Sequence, residues 1–175
     1  MFGAGCSTAP TESTAGHDVY LPLPTNHLIA ADYRAADALI AEARPRLVAP
    51  QSILVATVVD IDDLDESSTL GRLVSEHVSA RFTGAGYHMV ELKFQKAVYM
   101  KQGEGELMLT RQIREIANSH DAQAVIVGTY SQGADHVFLN LKLVHPEDNL
   151  ILAAHDYALM LDDDVRKLVR KRKRR

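Results

Sequence analysis

The sequence predicts an α/β fold: a single domain on one mixed sheet of about five strands, a parallel β-α-β-α-β part followed by an antiparallel meander. Three observations predict it. The run Ile53 to Val59 is apolar almost without interruption, as a strand covered on both faces is. Two segments with helical spacing then alternate with two further strand-like runs. After Tyr130 the pattern changes to two extended stretches joined by turn residues, the signature of neighbouring antiparallel strands.

Taken in order, Thr25-Asn26 offers an N-cap for a first helix whose apolar positions are Leu28, Ala31, Ala35, Ala38, Leu39 and Ala43. Pro45 and Pro50 bound it. The strand Ile53 to Val59 leads into an acidic turn, Asp60 to Glu66. Ser67, Ser68 or Thr69 caps a second helix with Leu70, Leu73, Val74, His77 and Val78 on one side, stopped by Gly84-Ala85-Gly86. Gly71 lies one turn into that helix, where glycine costs about 1 kcal/mol relative to alanine. Either another element, such as the sheet edge, approaches closely there, or the first turn is frayed. Tyr87 to Phe94 reads as the second strand, and Lys101 to Leu109 as a glycine-interrupted stretch. Thr110 caps a third helix with Ile113, Ile116 and Ala117 inward, and Ala124 to Tyr130 is the third strand. Val137 to Leu143 and Leu150 to Leu161 complete the sheet through turns at Ser131 to Asp135 and Pro146 to Asn149. Right-handed crossovers make the parallel half.

The chain ends divide from this body. Residues 1–23 are rich in Ser, Thr, Ala, Gly and Pro without periodicity and read as a leader or linker; 24–163 is the domain and 164–175 a basic tail. The net charge is −4, but eight of the 19 Lys and Arg residues lie in the last ten positions, which hold no acid. They are Arg166, Lys167, Arg170, Lys171, Arg172, Lys173, Arg174 and Arg175. The rest therefore carries 11 bases against 23 acids, about −12. Val165, Leu168 and Val169 stand at helical offsets, so the charge run begins as a short helix. Such a tail suits an anionic surface or nucleic acid, or simply remains solvated.

Cys6 is the lone cysteine, which excludes an internal disulfide. Its context, Gly3-Ala4-Gly5-Cys6-Ser7, resembles the end of a bacterial lipoprotein signal peptide, in which the cysteine is acylated and Ser7 fits outer-membrane sorting. Gly3 stands where a larger aliphatic is usual, and the charged and apolar parts of such a leader are not in this chain, so this reading requires them upstream.

Several stretches together resemble the FlgO family of bacterial outer-membrane proteins associated with flagellar motility. They are Val58-Val59-Asp60, Leu70-Gly71-Arg72-Leu73-Val74-Ser75-Glu76, Gly86-Tyr87-His88-Met89-Val90-Glu91-Leu92, Gly105-Glu106-Leu107-Met108-Leu109-Thr110-Arg111, and Ala124-Val125-Ile126-Val127-Gly128-Thr129-Tyr130-Ser131. The match runs in order from about Ala36 to Leu161. Thr110 stands where the family favours serine, which keeps a capping hydroxyl, and the basic tail looks private to this chain. The resemblance implies a small domain akin to the amino-terminal domain of TolB. It implies a lipid-anchored outer-membrane location, partners among envelope or flagellar proteins, and outer-membrane lipid engaged through acylated Cys6. It implies no reaction, no cofactor and no small-molecule substrate.

The residues agree with a non-catalytic role. There is no nucleophile elbow, phosphate-binding glycine loop, His-Glu-x-x-His or cysteine zinc pattern, and the eight histidines are scattered singly. Asp60, Asp62, Asp63, Asp65 and Glu66 could serve calcium, but the EF-hand offsets are not met, and acids before a helix also complement its dipole. Arg72 with Glu76, one turn apart, and Glu106 with Arg111, across the start of the third helix, form a candidate polar network for fold or partner. The competing reading is a cytoplasmic nucleic-acid-binding module that uses the tail.

Overall fold

A computed structural model describes residues 26–92, 99–102, 106–109 and 111–170. The first helix, α1 (His27–Ala43), starts where Asn26 Oδ1 accepts hydrogen bonds from the amides of Leu28 and Ile29 at 3.0 and 3.2 Å. Its inward stripe is rotated from the expected one: Ala31 and Ala38 are half-buried, while Ala36, Ile40 and the acidic Asp32 are buried. The second helix, α2 (Thr69–Gly84), is capped by Ser68, whose Oγ accepts from the Gly71 amide at 3.2 Å, and Gly86 follows it in the left-handed region at φ +93.

The main sheet has six strands, one more than expected. Its order is β3 (His88–Leu92), β1 (Ser52–Ala56), β6 (Ala122–Gln132), β7 (His136–Val144) and β8 (Ile151–Met160), with β2 (Val59–Asp60) also on β6. Strand β1 lies parallel to β3 and β6, and β6, β7 and β8 are antiparallel. The mixed sheet with a parallel half and a meander is therefore as the sequence predicts.

The sixth strand arises because the apolar run Ile53 to Val59 breaks at Thr57-Val58. Side chains of α2 and of the turn before it take over the Val58 peptide there. The Val58 amide donates to Ser75 Oγ at 3.0 Å, and Ser67 Oγ donates to the Val58 carbonyl at 2.7 Å. Helix and strand approach so closely that a Cβ on Gly71 would lie 2.2 Å from the Val58 oxygen. Of the two readings of Gly71, close approach is the one observed. The glycine-interrupted stretch contains a separate hairpin, β4 (Tyr99–Gln102) with β5 (Glu106–Leu109); Thr110 lies outside the described residues.

Helices α1, α2 and α4 (Asp163–Val169) cover one sheet face over a core that includes Leu39, Ile53, Val74, Phe82, Ile126, Leu141 and Leu159. Helix α3 (Arg111–Ser119) covers the other face, but only its parallel half, through Ile113 and Ala117 against Leu54, Val125 and Val127. Val165 and Val169 of α4 are buried in the larger core, so the packed body continues past 163 into the segment read as tail.

Candidate interaction surface

Because α3 stops short, the outer face of β7 and β8 is bare of helices among the described residues. Period-two alternation along β7 sends Val137, Leu139, Leu141 and Leu143 into the core and His136, Phe138, Asn140 and Lys142 outward. Cross-strand register builds rows on that face: Thr129–Asn140–Asp156, then Ser131–Phe138–Ala158, then His136–Met160. Phe138 is 57% exposed and Met160 66% exposed, far more than large apolar side chains usually are when a fold can cover them. Ile61, just after β2, is also exposed and joins Thr129, Phe138, Asn140, Asp156 and Ala158 in lining a shallow groove of about 430 Å3. Asn140 Nδ2 donates to Asp156 Oδ1 at 2.6 Å and fixes the polar side of the groove. Gly133 permits the tight hairpin over the aromatic ring, since a Cβ there would lie 3.1 Å from Phe138 Cε2.

Among the described residues, strand β8 pairs only with β7 and ends the sheet. The Ala154 amide points out from that edge, where Glu42 Oε2 accepts it at 3.3 Å. The neighbouring backbone of Asp156 and Ala158 has the same outward phase, because strand groups alternate sides. An exposed apolar row beside a ten-residue edge strand is a surface that can take an extended segment.

Behind the other face lies a buried polar cluster that no sequence pattern marked. Asp32, 0% exposed, accepts the Tyr157 hydroxyl at 2.7 Å on Oδ1 and faces His77 Nδ1 at 2.6 Å through Oδ2. Desolvation, followed by the adjacent Asp32 carboxyl, pushes the Tyr157 phenol far above its usual range, so it stays a neutral donor. Beside it, Arg81 grips Asp37 with two nitrogens at 2.7 and 2.8 Å and stands 5.4 Å from the Tyr33 ring centre. The cluster ties α1 to α2 and β8. Asp32 sits one turn after Leu28 and one before Ala35 and Ala36, so its place on the apolar stripe was the available signal.

Among the described residues, those singled out from sequence are not gathered into one constellation. Arg72 and Glu76 are exposed on α2, and Arg72 Nη2 donates to Thr69 Oγ1 at 3.1 Å. Arg111 pairs with Glu115 at 2.9 Å on the surface of α3. The Glu106 backbone pairs with Gln102, and its side chain lies outside the described residues. In the tail, Arg166 Nη2 donates to the Leu161 carbonyl at 3.1 Å, Lys167 lies 3.9 Å from Asp164, and Arg170 is exposed. Cys6 and Lys171, Arg172, Lys173, Arg174 and Arg175 fall outside the described residues. In the acidic turn, Asp60 Oδ1 accepts from the Asp62 amide at 3.0 Å and Asp63 Oδ1 from the Asp65 amide at 3.3 Å. Among the described residues no three His, Cys, Asp or Glu side chains gather as a metal site, and no helix is long and apolar enough to cross a membrane.

A six-stranded mixed sheet with helices over one face and half of the other, and a meander that is bare among the described residues, defines a class of small α/β domains that offer a surface. The chain belongs to the FlgO family, whose model, described as FlgO protein, matches residues 33–164. Among solved structures it is similar to the C-terminal domain of LpoB from Salmonella enterica, at 15% identity and a TM-score of 0.54, covering 77% of this chain and 98% of that one. The corresponding LpoB domain from Escherichia coli gives 14% identity, the same TM-score and the same coverage. At these identities the likeness establishes the fold alone. No curated protein sequence matches.

Proposed function

We propose that the protein is a non-catalytic, lipid-anchored accessory protein of the bacterial outer membrane that helps assemble or hold the flagellum or another envelope apparatus. Its working surface is the bare face of β7 and β8 with the edge of β8. The observation that carries the reading is the apolar row Phe138, Ala158 and Met160, left open beside a ten-residue strand that, among the described residues, pairs on one side alone. Membership of the FlgO family supports the envelope role, and the setting of Cys6 supports the anchor. The polar cluster at Asp32 serves to fix the scaffold behind that surface.

The test is complementation of a deletion strain with the full-length gene. Phe138→Asp together with Met160→Asp is expected to abolish the rescued phenotype, motility first, with protein abundance unchanged. Full rescue by this variant contradicts the assigned surface. Cys6→Ser is expected to move the protein out of the membrane fraction and remove an acyl mass; recovery of the unaltered protein in the cytosol contradicts the anchor.

A further inference from the structure

The open edge of β8 is a short window, because both of its ends are already engaged. Glu42 Oε2 accepts the Ala154 amide at 3.3 Å, and the Met160 carbonyl accepts the Asp162 amide at 2.9 Å. Between them the outward phase leaves Asp156 and Ala158, each with an amide and a carbonyl that meet no partner beyond the edge among the described residues. On the bare face, Ala158 is the small residue between this edge and Phe138, its neighbour across on β7. An added strand lies about 4.8 Å beyond β8. A long apolar side chain on it can lean over the Ala158 methyl to the exposed Phe138 ring and the groove that Ile61 also lines. Two residues along the same face stands Asp156, held by Asn140 at 2.6 Å.

Charge selects the rest of the occupant. The Ile61 amide donates to the Tyr130 carbonyl at 3.0 Å, so the exposed Asp62 and Asp63, next in the chain, border the groove. Asp135 is exposed in the turn between β6 and β7. Along β6, β7 and β8 the only lysine or arginine on this face is Lys142, one row beyond Asn140 and Asp156. The groove is therefore apolar at its floor and anionic around it, which favours a cationic ligand.

We propose that this window and groove take a short extended segment of a partner protein in which an apolar residue and a lysine or arginine stand two positions apart. Its backbone pairs with Asp156 and Ala158, its apolar side chain covers Ala158 against Phe138, and its cation meets Asp156. The proposal rests on the working surface named above and adds the chemistry of what that surface takes. A second copy of this chain is the poorer occupant, since joining two β8 edges brings Glu42 and Asp156 of each copy together.

The probe is a capped peptide of about nine residues with lysine and leucine alternating at even positions and threonine elsewhere, titrated into the isotope-labelled full chain and followed by nuclear magnetic resonance. Shifts are expected at the amides of Ile61, Phe138, Asp156 and Ala158. Glutamate in place of lysine is expected to weaken binding about tenfold or more, a preference that shrinks at about 0.5 M salt. Phe138→Ala is expected to weaken the lysine peptide about tenfold. Asp156→Asn is expected to weaken it about threefold and to narrow the preference for lysine over glutamate. Both side chains are exposed, so thermal unfolding of the two variants stays close to wild type. No shifts, shifts away from this face, equal binding of both peptides, or binding indifferent to Phe138→Ala overturns the proposal. Tighter binding of a synthetic peptide of residues 17–25 overturns it in favour of the chain's own leader. Self-association in sedimentation that Phe138→Asp removes overturns it in favour of a second copy. Loss of rescue in cells by Phe138→Asp with Met160→Asp, without any peptide preference, would retain the surface and reject only this ligand.

Discussion

Replacing Gly71 by alanine sets two effects of opposite sign against each other. Helix propensity favours alanine by up to about 1 kcal/mol. Against this, the new Cβ would lie 2.2 Å from the Val58 carbonyl oxygen and 2.7 Å from Ser67 Oγ. A Cβ has no rotamer by which to escape, and the nearer obstacle is backbone, so α2 must move away from the β1–β2 connection by about the thickness of an overlap. Forced overpacking of this kind costs roughly 1–3 kcal/mol. Losing the Ser67 to Val58 hydrogen bond, 2.7 Å long, costs about 1 kcal/mol more. The net expectation is destabilisation by roughly 1–3 kcal/mol, or a Tm lower by about 3–10 °C for a chain of this size. Urea unfolding followed by circular dichroism reads it as a lower midpoint at unchanged slope. Exposed Arg72, next along the helix, is the control, and Arg72→Ala is expected to stay within about 0.5 kcal/mol. An alanine variant as stable as wild type, or more so, would refute the close approach.

Other outcomes follow from the same packing. Asp32→Ala leaves Tyr157 Oη and His77 Nδ1 without their buried acceptor and is expected to cost roughly 2–5 kcal/mol by urea unfolding. Because the folded state holds the Tyr157 phenol far above its unfolded pKa of about 10, its contribution is complete below pH 10 and declines as pH rises past that value. Wild-type stability should therefore fall above pH 10 by up to about 1.4 kcal/mol per unit more steeply than that of Tyr157→Phe. Truncation after Arg170 is expected to leave stability within about 0.5 kcal/mol, whereas truncation after Asp162 removes buried Val165 and Val169 and should lower the unfolding midpoint clearly. Phe138→Ala, at a side chain more than half exposed, should change stability by less than about 1 kcal/mol while weakening function in cells.

Strands β1 and β6 were legible because burial on both faces leaves them apolar in composition, and the caps at Asn26 and Ser68 because capping chemistry is local. The split between β1 and β2 was not, since Val58 is as apolar as the strand around it and its peptide is bonded by Ser67, just before α2, and by Ser75 within it. Gly71 carried the hint of that contact without saying what approached. Asp32 was hidden for a similar reason: an acid on an apolar stripe reads as an interruption until His77 and Tyr157 arrive from other elements. The bare face did leave a trace, in that Phe138 breaks an otherwise polar alternate row in β7. What sequence could not show is that α3 ends before covering it, which is a matter of helix placement over the sheet. The pairs Arg72 with Glu76 and Glu106 with Arg111 were read from spacing along the chain, and the Glu106 side chain lies outside the described residues. Arg72 bonds to Thr69 on α2 and Arg111 to Glu115 on α3, each within its own helix.

The bare β7–β8 face as the working surface is tested most directly by a photo-reactive amino acid placed at position 138 or at position 72 in the membrane-anchored protein in living cells. A discrete cross-linked partner is expected from position 138, on the open face, and none from position 72, on the helical side. Cross-linking from position 72 with nothing from position 138 would contradict the account.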